Sequence, residues 1–276
     1  ALPILKKQAV LFLLAIFALC SVQAQTVDTI EVFSPKMNRS IKNVIILPDG
    51  YKKDGTVKYP VLYLLHGYSG RYDSWVSLKP TLPQDATRLG MIVVCPDGQN
   101  SWYWDSPIDP KFQFETYVSK ELVQYIDQNY KTITSPKGRA ITGLSMGGHG
   151  GLWLGINHPD VFGACGSMSG GVDIRPFPNN WDMKLRIGSY KENSELWNSH
   201  TVTNQLDKIE PGSLSIIFDC GTDDFFYQVN EQLHKEMVYR NINHDYIVRP
   251  GGHTGEYWNN AIDYQMLFFY KFFKQK

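Results

Sequence analysis

The chain has 276 residues, 43% of them apolar, and its 27 lysines and arginines balance 27 aspartates and glutamates. That apolar content supports a buried core in one large α/β domain or two small ones, and excludes a disordered chain. Near-zero net charge, with no basic patch or arginine cluster, argues against nucleic acid and anionic membrane surfaces as partners.

At the N-terminus Lys6 and Lys7 precede an apolar run from Ala9 to Leu19, followed by Cys20-Ser21-Val22-Gln23-Ala24-Gln25. Small residues at minus three and minus one from a cut after Ala24 predict a secretory signal peptide over residues 1–24 and a secreted or periplasmic protein. The run of about 11 apolar residues falls short of the roughly 20 that span a bilayer, so stable membrane insertion is not expected. The alternative, a lipoprotein cut before Cys20, is disfavoured by Leu19, which is larger than the residue usual at that position. Removing residues 1–24 takes two lysines and no acid, and leaves Cys95, Cys165 and Cys220. Their odd number, their apolar strand-like surroundings and the absence of a C-x-x-C predict buried free thiols.

From there strand-like runs recur at Ile41–Leu47, Val61–Leu65, Met91–Cys95, Ala140–Thr142, Ala164–Met168, Leu214–Asp219 and Tyr246–Val248. Helical spacing fills most of the gaps. Phe114, Val118, Leu122, Tyr125 and Ile126 mark one face of a helix over 114–130, and 148–158, 228–241 and 258–273 read similarly. Strands alternating with helices predict a mainly parallel central sheet covered on both faces. With no repeat, low-complexity tract or linker, a single domain over 26–276 is expected. The stretch 172–211, with Pro176, Pro178, Asn179, Asn180 and Trp181, breaks the alternation. It is either a cap over a site or a surface excursion.

The pentapeptide Gly143-Leu144-Ser145-Met146-Gly147 stands between a strand-like run and a helix-like one. It reads as a nucleophile elbow: a serine on a strained turn, with glycines at minus two and plus two because larger side chains would strike neighbouring backbone. The helix N-terminus would aim amides and the positive dipole end at an oxyanion beside Ser145. By chance such a pattern occurs in roughly one chain of this length in ten, given glycine at about 7%, so the remaining parts must decide. A serine nucleophile needs a base, a carboxylate to orient it and amide donors for the oxyanion. His253, in the Gly-rich loop Pro250-Gly251-Gly252-His253 after the last strand, is the candidate base; Asp223 and Asp224, after the strand ending near Asp219, are the candidate acids. The order Ser, Asp, His is that of α/β-hydrolases. Of the other histidines, His149 is expected to turn away from the serine, His158 sits before Pro159 at a helix end, and His200, His234 and His244 have polar contexts that predict solvated rings.

Leu64-Leu65-His66-Gly67-Tyr68-Ser69-Gly70, Pro96-Asp97-Gly98-Gln99-Asn100-Ser101-Trp102-Tyr103, the elbow with Gly148, His158-Pro159-Asp160-Val161-Phe162 and Cys220-Gly221-Thr222-Asp223-Asp224-Phe225 together resemble the esterase D group of α/β-hydrolases. That group includes feruloyl and acetyl xylan esterases of carbohydrate esterase family 1, tributyrin esterases, S-formylglutathione hydrolases and mycolyltransferases. The resemblance covers nearly all of the chain after residue 24. It implies an α/β-hydrolase fold, Ser145 as nucleophile, His253 as base, Asp224 as orienting acid with Asp223 as the alternative, and an oxyanion hole from the amides of Tyr68 and Met146. It implies no metal and no cofactor; the sequence also lacks H-E-x-x-H and any close cysteine pair.

For the substrate, Trp102, Tyr103 and Trp104 follow a strand end, where open α/β sheets bind ligands. They are expected to stack on a sugar or phenolic ring or, alternatively, to pack beneath the 172–211 segment. His66 and Gly67 complete the expected substrate contacts. An exported enzyme of this group implies a serine carboxylic ester hydrolase removing feruloyl or acetyl groups from plant polysaccharides, its partner a small-molecule or polysaccharide ester. The alternatives are a tributyrin-type esterase, a cytosolic S-formylglutathione hydrolase, and, in another class, a non-catalytic protein that binds carbohydrate or a partner.

Overall fold

The computed structural model describes residues 26–275; the signal peptide expected over residues 1–24 lies outside them. Eight strands form one sheet: β1 (Thr26–Ser34), β2 (Arg39–Leu47), β3 (Val61–Leu65), β4 (Ile92–Pro96), β5 (Arg139–Gly143), β6 (Ala164–Met168), β7 (Ser215–Gly221) and β8 (Asp245–Arg249), in the order β1-β2-β4-β3-β5-β6-β7-β8. β3 to β8 are mutually parallel, and β1 and β2 add antiparallel to the β4 edge.

The expected strands all form, and their apolar runs are explained by burial on both faces. Alternate residues serve opposite layers. Ile45, Tyr63, Val94 and Ile141 join one core cluster, and Ile46, Leu62, Val93 and Ala140 the other. The first layer holds α3, which runs Phe114–Thr116, Tyr117–Leu122 and Val123–Asn129, with α4 (Met146–Asn157) and α7 (Tyr227–Tyr239). The second holds α1 (Ser74–Leu78), α2 (Leu82–Leu89) and α8 (Gly255–Phe273). Between β6 and β7 come α5 (Lys184–Ile187) and α6 (Ser194–Ser199).

Three features depart from expectation. The middle of α3, Tyr117–Leu122, is π-helical rather than α-helical; the apolar spacing is read correctly because a single π turn shifts the face only locally. Strand β1 carries no core signature, since Thr26, Val27, Asp28 and Thr29 are exposed at the sheet edge. Helices α1 and α2 add to the expected ones: α1 has only five residues, while α2 buries Leu82, Ala86 and Leu89 at helical spacing, with Pro83 in its first turn and left-handed Gly90 at its C-cap.

Neighbouring β3 and β5 pair Leu65 with Gly143. β3 leads on to β4 on one side of it, while β5 lies on the other, so the strand order reverses here, and the loops leaving both strands open into one crevice at the sheet's C-terminal edge. Among the described residues Cys95, Cys165 and Cys220 are free and buried, and no helix is long and apolar enough to cross a membrane.

Candidate active site

Ser145 stands on the turn between β5 and α4 at φ 55°, ψ −115°, a left-handed backbone that a residue with a side chain adopts only under constraint. The constraint is the neighbouring strand. A Cβ on Gly143 would lie 2.5 Å from the Leu65 carbonyl oxygen, and one on Gly147 2.5 Å from the same oxygen and 2.6 Å from that of His66. Only glycine fits on either side, and the turn lifts the Ser145 hydroxyl clear of the sheet.

His253 arrives from the loop after β8, and Asp224 from the turn after β7. The imidazole Nε2 is 2.9 Å from Ser145 Oγ, and Nδ1 is 2.8 Å from Asp224 Oδ2. With Nδ1–H donating to the carboxylate, Nε2 is the lone-pair nitrogen facing the hydroxyl. Asp224 is itself held, its Oδ1 accepting the Phe226 N–H at 2.8 Å, and its side chain is fully buried. Asp223 is exposed; it ties the two loops through its N–H, which donates to the Gly251 carbonyl at 2.9 Å. Three rings box the imidazole: Phe225 at 4.2 Å, Trp258 edge-on at 4.8 Å and Phe226 edge-on at 5.5 Å between centroids.

The Met146 amide opens α4, and the Tyr68 amide lies in the loop after β3; neither donates to a protein acceptor among the described residues. The Ser145 N–H, by contrast, is spent on the Met168 carbonyl at 2.9 Å. Beside the serine is a cavity of about 470 Å³, walled by Tyr68, Leu78, Leu144, Trp181, Phe225 and Trp258, with Gly67 at its edge.

Four of the expected substrate contacts are not in that cavity. Trp102, Tyr103 and Trp104 are 1%, 0% and 0% exposed, which makes them core. Trp102 and Tyr103 are left-handed, both at φ 59°, and this turns the loop inward. Trp102 stacks on Trp104 at 5.6 Å and donates Nε1–H to the Trp181 carbonyl, while Tyr103 donates its hydroxyl to the His66 carbonyl at 3.1 Å. His66 is 1% exposed and fully engaged: its Nε2 accepts the Gly98 N–H at 2.8 Å and Nδ1 bonds the Gly67 carbonyl at 2.7 Å. It braces the loop and cannot reach a ligand.

Besides Tyr68 of the loop after β3, the aromatic walls that replace them come from three distant segments. Trp181 belongs to the 172–211 stretch, Phe225 follows the Asp224 carboxylate and Trp258 lies one turn into α8. The 172–211 segment therefore roofs the buried tryptophans and supplies one wall of the cavity.

The other histidines are occupied elsewhere. His149 accepts the Trp104 Nε1–H at Nε2 and bonds the Gly171 carbonyl through Nδ1. His158 bonds Glu115 at 2.9 Å. His200, His234 and His244, expected to be solvated, are half-buried and engaged: His200 stacks on Trp153 at 5.4 Å, and His234 and His244 bond each other at 2.8 Å.

A serine on a strand-to-helix turn, bonded through an imidazole to a buried carboxylate at the C-terminal edge of a mainly parallel sheet, defines an α/β-hydrolase with a serine-hydrolase triad. The chain belongs to the Esterase family, whose pattern matches residues 34–269, and is a carboxylic ester hydrolase. It is 27% identical over 251 residues to an acetyl esterase of Caldicellulosiruptor saccharolyticus, the match covering 84% of this chain and 94% of that one. It is 29% identical over 227 residues to an S-formylglutathione hydrolase of Bos taurus, covering 74% and 77%. The solved structure of a ferulic acid esterase superposes with a TM-score of 0.78 at 28% identity, covering 90% of this chain and 98% of that one.

Proposed function

We propose that this hydrolase removes feruloyl or acetyl groups from plant polysaccharides outside the cytoplasm, through an acyl-enzyme on Ser145. The observation that carries the substrate class is the cavity beside Ser145 Oγ, where Trp181 and Phe225 stack at 5.6 Å and 19° between planes and Trp258 stands opposite the imidazole. Flat apolar walls favour a planar aromatic acyl group and leave room for acetyl. Phe225 is 51% exposed at the mouth, where the alcohol part of a polymeric ester can lie across it. The acetyl esterase and ferulic acid esterase among its relatives support the same class, and the signal-peptide pattern over residues 1–24 supports export.

Ser145 Oγ attacks the ester carbonyl as His253 Nε2 takes its proton, and Asp224 stabilises the imidazolium that forms. The oxyanion rests on the amides of Tyr68 and Met146, which no protein group competes for among the described residues. His253 then protonates the leaving alcohol, and a water activated by the same imidazole releases the acid.

The test is a comparison of kcat/KM for methyl ferulate, acetylated xylan, tributyrin and S-formylglutathione. Methyl ferulate or acetylated xylan is expected to lead; a clear preference for the glutathione thioester would overturn the substrate class and leave the acyl-enzyme chemistry standing.

A further inference from the structure

Two tethers join the loop after β3 to one turn of the segment between β6 and β7. Tyr68 donates its hydroxyl to Asp182 Oδ2 at 2.7 Å. Its neighbour Ser69, left-handed at φ 62°, donates its N–H to Asn100 Oδ1 at 2.9 Å, and the Asn100 carbonyl accepts Arg186 Nε–H at 3.1 Å. Asp182 and Arg186 are four residues apart, so one tether ends on the turn that leads into α5 and the other on α5 itself. Arg186 is itself immobilised, paired with Asp109 at 3.2 Å and lying 3.4 Å from the centre of the Phe112 ring.

The turn holds a costly conformation. Trp181 and Asp182 are both left-handed, at φ 48° and 57°, which persists only where the surroundings over-determine it. Here the Trp181 carbonyl accepts Trp102 Nε1–H at 3.1 Å, and the Trp181 ring packs against Phe177 at 5.4 Å and Phe226 at 5.2 Å. Its consequence is to present the Asp182 carboxylate to Tyr68.

We propose that Asp182 is a positioning residue for ester hydrolysis: by holding the Tyr68 hydroxyl, it fixes the peptide whose N–H is the second oxyanion donor. The proposal rests on the esterase chemistry above. An oxyanion donor lowers the barrier only if it is already in place when charge develops, and a misplacement on the order of 1 Å costs up to about a hundredfold in rate. Without Asp182 the Tyr68 ring has no polar anchor, and of the two ties to the segment between β6 and β7 only the one through Ser69 and Asn100 remains. The hydrogen bond to Asp182 also raises the Tyr68 phenol above its ordinary pKa, which preserves it as a donor. The loss falls on the transition state, so kcat changes and KM does not.

The experiment compares wild type, Asp182→Ala, Asp182→Asn, Tyr68→Phe and the Tyr68→Phe/Asp182→Ala double variant on p-nitrophenyl acetate. Thermal melts accompany it, with the affinity for phenylboronic acid, whose tetrahedral adduct on Ser145 draws on the same amides. Asp182→Ala and Tyr68→Phe are each expected to lower kcat about tenfold and to move KM less than about twofold. The double variant is no slower than either single one, Asp182→Asn, which keeps a carbonyl acceptor, recovers most of the rate, and boronate affinity falls in step with kcat. An Asp182→Ala protein that melts like wild type with unchanged kcat overturns the proposal, as does an additive double variant. If Asp182→Ala does not fold, Tyr68→Phe decides: an unchanged kcat there overturns it. A wild type inactive on every ester overturns the esterase chemistry and this proposal with it, whereas an active wild type with indifferent variants overturns this proposal alone.

Discussion

Nδ1 of His253 lies 2.8 Å from Oδ2 of Asp224, while the adjacent Asp223 is exposed and reaches the histidine loop only through its main-chain N–H. Two neighbouring carboxylates thus have separate tasks, one orienting the base and one stitching loops. Asp224→Asn is expected to lower kcat by about four orders of magnitude, because the amide no longer stabilises the correct tautomer or the imidazolium. Asp223→Asn should change kcat by less than about threefold, in keeping with the small energies of exposed substitutions. Steady-state kinetics on p-nitrophenyl acetate check both, and equal losses would contradict the assignment.

The buried and cavity-lining tryptophans separate stability from binding. Trp104→Ala removes a fully buried ring and leaves His149 Nε2 without its donor, with an expected loss of about 3–5 kcal/mol measured by urea unfolding. Trp181→Leu keeps an apolar side chain but removes a flat wall, and should lower kcat/KM for methyl ferulate about tenfold further than that for p-nitrophenyl acetate, any loosening of the Asp182 turn acting on both esters alike. Equal effects on both esters would contradict an aromatic acyl pocket.

Two fully buried groups contribute to acid stability with opposite sign. Burial pushes His149 down to about 3, so its folded pKa lies below its unfolded one; the stability it contributes is full above about pH 6.5 and is lost as pH falls towards 3. Burial pushes the Asp219 carboxyl up to about 6, so its contribution is full below the ordinary carboxylate range and is lost as pH rises through 6. The His149 shift is the larger, and acidification from pH 7 to 4 should cost about 3 kcal/mol through it. His149→Gln should remove that increment, read as a flatter pH dependence of the urea midpoint; a slope identical to wild type would contradict it.

The catalytic parts were legible because chemistry and close approach restrict them. Gly143 and Gly147 face backbone at distances no Cβ tolerates, and a base and acid must leave the ends of later strands. The parallel strands were legible as continuous apolar runs. The cavity walls were not, since Leu78, Trp181, Phe225 and Trp258 meet only through the fold. The polar neighbours of Trp102 to Trp104 suggested a ligand loop, but left-handed backbone at Trp102 and Tyr103 turns those rings into the core. His200 misled for the same reason: its polar context hides a ring stacked on Trp153.

The central claim is that Ser145 Oγ, activated by His253 at 2.9 Å, takes the acyl group. It is tested most directly by exposing the protein to a fluorophosphonate and mapping the adduct by peptide mass spectrometry alongside residual esterase activity. The expected result is one adduct, on Ser145, formed in proportion to the activity lost and absent from a Ser145→Ala protein that no longer turns over ester. An adduct on another residue, or a Ser145→Ala protein of undiminished activity, would contradict the account.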